Sequence, residues 1–208
     1  MRLDPAFSAA LQQRFQLSDL DAHPESVLGL SADSRIAYFN PAWLGFATDN
    51  QGNPLIGAQW GLGAGYLDSI SPTLRPFYKL LLQRAPSPDR SLHPSRHEYE
   101  CSSASDYRRF EMHVYALPRA AGFVIVNSMV VERPHDPAER PAHAPSSDNY
   151  CRTDGVIVQC AHCRRVQHSI QLVRWDWVPT WVDRAPANTS HGLCPMCSDY
   201  YYPVDEMS

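Results

Sequence analysis

Two Cys-x-x-Cys pairs near the C-terminus constrain the fold of this chain more than any other feature. Cys160 and Cys163 form the first pair, and Cys194 and Cys197 form the second, with thirty residues between the pairs. Each such turn places two thiolates on one side of a tight bend, so two turns supply the four sulfurs of a tetrahedral zinc site. We therefore predict a Zn²⁺ ion with a structural role, because four protein ligands leave no open coordination position.

The interval between the two pairs is longer than the roughly fifteen to twenty residues of a common zinc ribbon, so a structured insertion must fill it. Other uses of the cysteines remain open at this point. A redox pair needs one motif after a strand of a βαβ unit, and disulfides need an oxidising compartment. His162, His191 or Cys151 could also replace one of the four ligands.

Composition indicates a soluble chain of 208 residues, of which 44% are hydrophobic, enough for one large domain or two small ones. No apolar run approaches the roughly 18 residues of a membrane span, and no secretory signal opens the chain, so we expect a cytoplasmic protein without membrane contact. The net charge of -4 argues against general nucleic-acid binding.

Alternating patterns predict an α+β domain over residues 21–132. A first strand, an acidic turn and a second strand lead into a short helix that begins at Asn40-Pro41. A longer helix and three further strands follow. The predicted ranges, in chain order, are Ser26–Ser31, Arg35–Phe39, Asn40–Ala47, Thr73–Ala85, His97–Cys101, Tyr107–Leu117 and Gly122–Val131.

The run from Ala32 to Trp43, with its acidic turn, second strand and Asn-Pro helix start, resembles the opening of a PAS sensory domain. Glu98–Cys101 followed by Arg108–Met112 is similar to a bacterial PAS subgroup. The resemblance covers about residues 20–132. It implies the PAS fold, a five-stranded antiparallel sheet with flanking helices, and a sensory role.

A proline-rich stretch, residues 133–149, predicts an extended linker to a second module over residues 150–208. In that module Ile157–Cys163 and Ser190–Cys197 resemble a small Cys-rich module found beside PAS domains in bacterial signalling proteins. The resemblance implies a zinc-ribbon-like C-terminal unit. Residues 1–20 form a separate N-terminal segment.

The resemblance to PAS domains raises the question of a bound cofactor. The light-sensing branch needs an adduct-forming Cys in a motif that this chain lacks, and the haem-binding branch needs a His on the long helix, where none occurs. His113 lies on the polar side of its strand, and His93 and His97 are expected on the surface. We therefore expect neither haem nor flavin.

A small organic ligand in the PAS cleft is a further possibility that the resemblance implies. Filling the domain core is the alternative role for the same aromatic side chains. The candidate pocket residues are Phe39, Trp43, Phe46, Trp60, Tyr66, Tyr78 and Asn127.

The first residues predict an amphipathic helix over residues 4–17, with Asp4 as its cap and Pro5 at its first position. Its apolar stripe can fold back on its own domain or pair with a second copy. The outer face of the sheet carries polar residues there, including Glu111 and His113, so we predict a homodimer through this helix. The stripe consists of Leu3, Phe7, Leu11 and Phe15.

Catalytic signatures for serine hydrolases, P-loop proteins, zinc proteases and dinucleotide enzymes do not occur in the sequence, so we predict a protein that is not an enzyme. The expected function is bacterial signal transduction: the PAS domain senses a small ligand or partner and signals to an unidentified protein by protein–protein contact. The alternative is a transcriptional regulator whose zinc module contacts DNA. Residues 150–208 hold five Arg against six Asp and Glu, which disfavours that alternative.

Overall fold

A five-stranded antiparallel sheet with helices around it makes up most of the N-terminal two thirds of the chain. The computed structural model describes residues 2–50 and 59–203. The helices are α1 (Pro5–Gln12), α2 (Leu17–Ala22), α3 (Pro41–Asp49) and α4 (Arg75–Gln83), with short 3₁₀ turns at Tyr66–Ser69 and Pro118–Ala120. The strands are β1 (Ser26–Ser31), β2 (Ile36–Phe39), β3 (Ser95–Glu100), β4 (Asp106–Ala116) and β5 (Gly122–Pro134), in the sheet order β2-β1-β5-β4-β3.

The chain packs as two compact units, each of which is made of several segments. The first unit consists of Met1–Ile70, Arg75–Glu98 and Glu111–Met129. The second consists of Ser71–Leu74, Tyr99–Phe110 and Val130–Ser208. Parts of β3, β4 and β5 therefore belong to the second unit together with the C-terminal module.

Asn40 holds the start of the first unit together. Its side chain accepts a hydrogen bond from the backbone N–H of Trp43 at 3.1 Å, which caps α3, and one from Val27 at 3.0 Å, which anchors β1. The amide nitrogen donates to backbone carbonyls of the preceding segment, the closest being that of Glu25 at 2.8 Å. A fully buried amide is stable only when its donors and acceptors are satisfied, and Asn40 meets that requirement.

The N-terminal stripe packs on its own domain. Phe7 and Leu11 are buried in an apolar cluster with residues of the sheet such as Tyr38 and Val124, and Leu3 and Phe15 pack against the same cluster. Asp4 caps α1 and Pro5 opens it, as predicted, but the helix ends at Gln12 and a separate α2 follows.

This packing corrects the predicted use of the stripe, because Phe7 and Leu11 are already withdrawn from water within one chain. The polar residues Glu111 and His113, which argued against packing of the stripe on its own sheet, lie on β4. The buried contacts of α1 are instead made with Val27 of β1, Ala37 and Tyr38 of β2, and Val124 of β5. The homodimer itself stays a prediction.

His97 is buried, which corrects its expected place on the surface. Strand β3 begins at Ser95, so His97 lies within the sheet and not in the preceding loop. Its ring lies 4.7 Å from the ring of Phe77 and 5.6 Å from that of Tyr78, both on α4. His113 is half-buried beside Glu111, and its Nε2 lies 3.1 Å from that carboxylate.

The C-terminal module of the second unit contains short elements around a small parallel and antiparallel sheet. Its helices are α5 (Ser147–Tyr150), α6 (Pro179–Asp183) and α7 (Pro195–Tyr201), and its strands are β6 (Ile157–Cys160), β7 (Val166–Gln167), β8 (Trp175–Asp176) and β9 (Thr189–Gly192). The strand order is β8-β7-β6-β9, with β6 and β9 parallel. Its apolar core consists of Tyr150, Ile157, Val166, Val178 and Trp181.

The segment predicted as an extended linker, residues 133–149, carries definite structure. Strand β5 continues to Pro134, Arg140 is buried, and Ala142 forms a parallel bridge with Trp177. Ser146 caps α5 at the end of the segment. None of the helices in the described ranges is both long and apolar enough to cross a bilayer.

Candidate metal centre

The two Cys-x-x-Cys pairs converge on one buried point in the second unit. Cys160 is the last residue of β6 and Cys163 lies in the turn that follows it. Cys194 directly precedes α7, and Cys197 lies in the first turn of that helix. All four are buried, and their Sγ atoms lie within 4.8 Å of one another.

Backbone hydrogen bonds shape the first turn and bring the second pair to it. The N–H of Cys160 donates to the carbonyl of Arg165 at 2.7 Å, and the N–H of Arg164 donates back to Cys160 at 3.1 Å. Arg164 takes a φ of 63°, a left-handed conformation that closes the turn. The parallel register places Cys160 opposite Gly192, two residues before Cys194, so the pairing of β6 with β9 delivers the second pair.

The sulfur geometry fits a metal ion. Cys163 Sγ lies 3.7 Å from Cys194 Sγ, and a tetrahedron with Zn–S bonds of about 2.3 Å has edges of about 3.8 Å. A disulfide has an S–S distance of about 2.05 Å, and all four cysteines are free. The N–H of Cys194 points at Cys160 Sγ, 3.4 Å away, as it would at a thiolate. The four cysteines can therefore hold a metal ion.

One of the four thiols, that of Cys160, favours ionisation without a metal ion. Contact with the Cys163 sulfur, followed by contacts with Cys194 and Cys197, lowers the pKa of the Cys160 thiol far below its ordinary value. Thiolates are the form in which cysteine binds metals. The same contacts between the sulfurs raise the pKa of the Cys163 and Cys197 thiols, so a metal ion must displace their protons when it binds.

The alternative ligands lie outside this group of four sulfurs. The Nδ1 atom of His162 lies 2.9 Å from the hydroxyl of Tyr201 and shares a hydrogen bond with it. His191 is an exposed residue of β9, opposite Gln159 in the register. Cys151 packs against the apolar core of the module. In the described part of the chain, the group that can hold a metal ion is the set of four cysteines.

A buried ion pair near the metal centre was missed from the sequence. The guanidinium of Arg140 donates two hydrogen bonds to Glu100, at 2.7 and 3.1 Å, and lies 4.6 Å from the ring centre of Trp177. Burial alone would lower the pKa of Arg140, but the hydrogen bond and charge of Glu100 and the charge of Cys163 hold it above its usual value. This cation therefore offsets negative charge in the region of the sulfurs.

Arg140 could not be singled out from the sequence, because a single Arg in a proline-rich stretch is equally typical of a solvated linker. Arg164 and Arg165 directly follow the first Cys pair in the sequence. The structure shows their backbones shaping the turn.

The predicted pocket residues are distributed between the core and partly exposed positions of the first unit. Phe39, Tyr66 and Tyr78 are buried, which agrees with a role in the core. Phe39 and Trp43 have ring centres 5.1 Å apart, and Asn127 lies opposite Ser26 in the sheet. Trp43, Phe46, Trp60 and Asn127 are half-buried. A ligand in that cleft stays a prediction.

Comparison with known proteins places the chain in no family. A scan against models of known protein families finds no match. A search of curated proteins likewise finds no match. What the site does must therefore be inferred from its own side chains.

Proposed function

We propose that this chain is a non-enzymatic bacterial regulatory protein in which a PAS domain is joined to a structural zinc module and signals by protein–protein contact. The PAS assignment is supported by the element order: two strands, a capped helix at Asn40-Pro41, a second helix and three strands in one antiparallel sheet. The two helices in that order, α3 and α4, are equally long at nine residues each. The assignment is also supported by the sequence resemblance over residues 20–132.

Zinc is the metal that we propose for the four cysteines. Soft thiolate ligands in a tetrahedral arrangement suit Zn²⁺, which has no redox chemistry and no strong preference for another geometry. A site made of four buried sulfurs leaves no position for a water molecule or a substrate. Its role in this proposal is therefore to fold the module.

The observation that carries the proposed contact function is an exposed apolar loop between β7 and β8. Ile170, Leu172 and Val173 are 81%, 53% and 86% exposed, although aliphatic side chains of this size are normally buried. Contiguous exposed apolar residues on a soluble domain mark interaction sites. We call Ile170, Leu172 and Val173 the hairpin tip.

The hairpin tip is held in place by hydrogen bonds. The ring Nδ1 of His168 accepts the N–H groups of Ile170 and Gln171 at 3.2 and 3.3 Å. Gln167 donates its side-chain amide to the carbonyl of Leu172 at 2.6 Å. A fixed apolar tip costs less conformational entropy on binding than a loose one, which suits recognition of a protein partner.

Site-specific photo-crosslinking in cells tests this function. A benzophenone amino acid at position 170 or 173 should give one discrete adduct with another protein, while the same group at the exposed Asp154 should give none. The adduct should disappear when Cys160→Ser removes a metal ligand. Adducts of equal yield at all three positions, or none at any, would refute the proposal. Adducts with DNA would favour the transcriptional alternative.

A further inference from the structure

A basic cavity of about 390 Å³ lies within the second unit. Four guanidinium groups line it against two carboxylates, in a chain whose overall net charge is -4. The cavity is therefore a positively charged concave site on an acidic protein. Its lining residues are Tyr107, Arg109, Val131, Arg133, His135, Asp136, Glu139, Arg140 and Arg165.

The two acidic residues of the lining are already engaged. Glu139 accepts a hydrogen bond from Arg133 at 2.9 Å, and Asp136 accepts one from the backbone N–H of Ala138 at 2.8 Å. Arg140 is paired with Glu100. These contacts shape the wall of the cavity but leave positive charge inside it.

Arg165 supplies that charge. Among the residues that the structure describes, its guanidinium has no hydrogen-bond or carboxylate partner, and the side chain is half-buried at the cavity wall. Its backbone is fixed, because its carbonyl accepts the N–H of Cys160 at 2.7 Å. Because the turn is fixed, only the side-chain torsions of Arg165 have to be ordered when an anion binds.

Arg109 and Arg133 lie on regular strands. Tyr107 and Arg109 share one face of β4, and Val131 and Arg133 share one face of β5, the neighbouring strand. The guanidinium of Arg133 lies 5.1 Å from the ring centre of Tyr107 and is held against it. Side chains on a sheet are positioned more precisely than those on a loop, so the cavity is a built site.

We infer that this cavity binds a small molecule that carries several negatively charged oxygens, of the phosphate-ester or polycarboxylate class. Guanidinium groups match both carboxylate and phosphate by donating two parallel hydrogen bonds. The volume lies at the lower end of the range of small-molecule sites, about 300–1,000 Å³. The site goes beyond the proposed function and depends neither on the predicted cleft of the first unit nor on the hairpin tip.

Isothermal titration of the full, metal-loaded chain with pyrophosphate and with citrate tests this inference. One binding site per chain is expected for at least one of the two anions. Arg165→Gln and Arg109→Gln should each weaken it about tenfold or more, since each removes a hydrogen-bonding charge from the site. Arg184→Gln, which makes the same change of charge in the same module outside the cavity, should leave the affinity unchanged.

Metal content and circular dichroism show whether each variant is folded, so that a loss of binding can be separated from a loss of structure. If Arg165→Gln loses its metal, Arg109→Gln on β4 still decides the question. The inference is wrong if neither anion binds the native chain, or if Arg184→Gln weakens binding as much as the cavity variants do. Tighter binding of pyrophosphate than of citrate would indicate that the natural ligand carries phosphate groups. Tighter binding of citrate would indicate that it carries carboxylates.

Discussion

The two units of this protein are stabilised in different ways. In the first unit, α1 and α2 pack on β1, β2 and β5 to form an apolar cluster that includes Leu11, Tyr38 and Val124. In the C-terminal module, strands of two and four residues surround a core of five side chains, and four cysteines form a second cluster. A core this small offsets little chain entropy, so such modules need a further constraint such as a metal.

Loss of one metal ligand should have the largest effect and should be confined to the second unit. Cys160→Ser removes a buried sulfur, and because metal binding supplies folding free energy in such modules, we expect the C-terminal module to unfold at room temperature. Elemental analysis should show one zinc per native chain and none in the variant. Near-ultraviolet circular dichroism should report loss of the signals of Trp175, Trp177 and Trp181.

Cys151→Ser is the matched control, since Cys151 lies outside the metal group and should keep the zinc. Strong chelation of the native protein should reproduce the effect of Cys160→Ser. A variant that keeps its tryptophan signals without zinc would show that the apolar core alone folds the module.

Removal of the buried cation Arg140 tests whether contacts other than a metal ion stabilise the second unit. Arg140→Leu leaves Glu100 buried without its counter-charge, at a cost of about 3–5 kcal/mol in the free energy of unfolding. Arg133→Leu breaks the exposed, solvent-screened pair with Glu139 and should cost much less. Urea denaturation followed by tryptophan fluorescence measures both. Equal effects of the two variants would contradict the burial argument.

Shortening one side chain of the N-terminal stripe tests how much apolar packing stabilises the first unit. Leu11→Ala removes a fully buried side chain and should cost about 2–5 kcal/mol in the first unit, while zinc content stays at one per chain. Leu92→Ala, at a side chain that is 77% exposed, should change stability by less than about 0.5 kcal/mol.

The midpoint for Leu11→Ala should not vary with protein concentration, because the stripe packs within one chain. A midpoint that does vary, with light scattering that shows a dimer becoming a monomer, would restore the predicted pairing of two chains through α1.

A smaller effect is expected at alkaline pH. Burial, followed by the hydrogen bond to Asp176 and the charge of that carboxylate, raises the pKa of Tyr150 to about 12. An unfolded tyrosine ionises near pH 10, so this contribution to stability is complete below about pH 10 and declines as the pH rises toward 12. Tyr150→Phe should flatten that decline, whereas the exposed Tyr202→Phe should retain it. Thermal melts across this range compare the two.

Local patterns in the sequence were sufficient for most elements of the first unit. Strand β1 matches its predicted bounds, and Asn40 caps α3 as the Asn-Pro start indicated. Alternation located β4 to within one residue at each end. These features depend on neighbours along the chain, which a single sequence displays directly.

Features that depend on distant partners were harder to predict. The stripe of α1 was visible, but the surface that covers it is built by β1, β2 and β5 together. Arg140 lies in a proline-rich stretch and reaches Glu100, forty positions earlier. In the metal centre, the spacing of the cysteines identified the four sulfurs, while the parallel pairing of β6 with β9 that brings them together was not predicted.

That parallel pairing governs how quickly the C-terminal module can fold. Two hairpin strands and a helix intervene between β6 and β9, so their contacts have high sequence separation and their search is slow. The segment between β6 and β9 must close into a loop, at a cost in chain entropy, before contacts between its ends can stabilise the module. In the proposed zinc module, we expect a metal ion bound first by Cys160 and Cys163 to capture the second pair when it arrives. The folding rate of the module should therefore follow the supply of zinc in the cell.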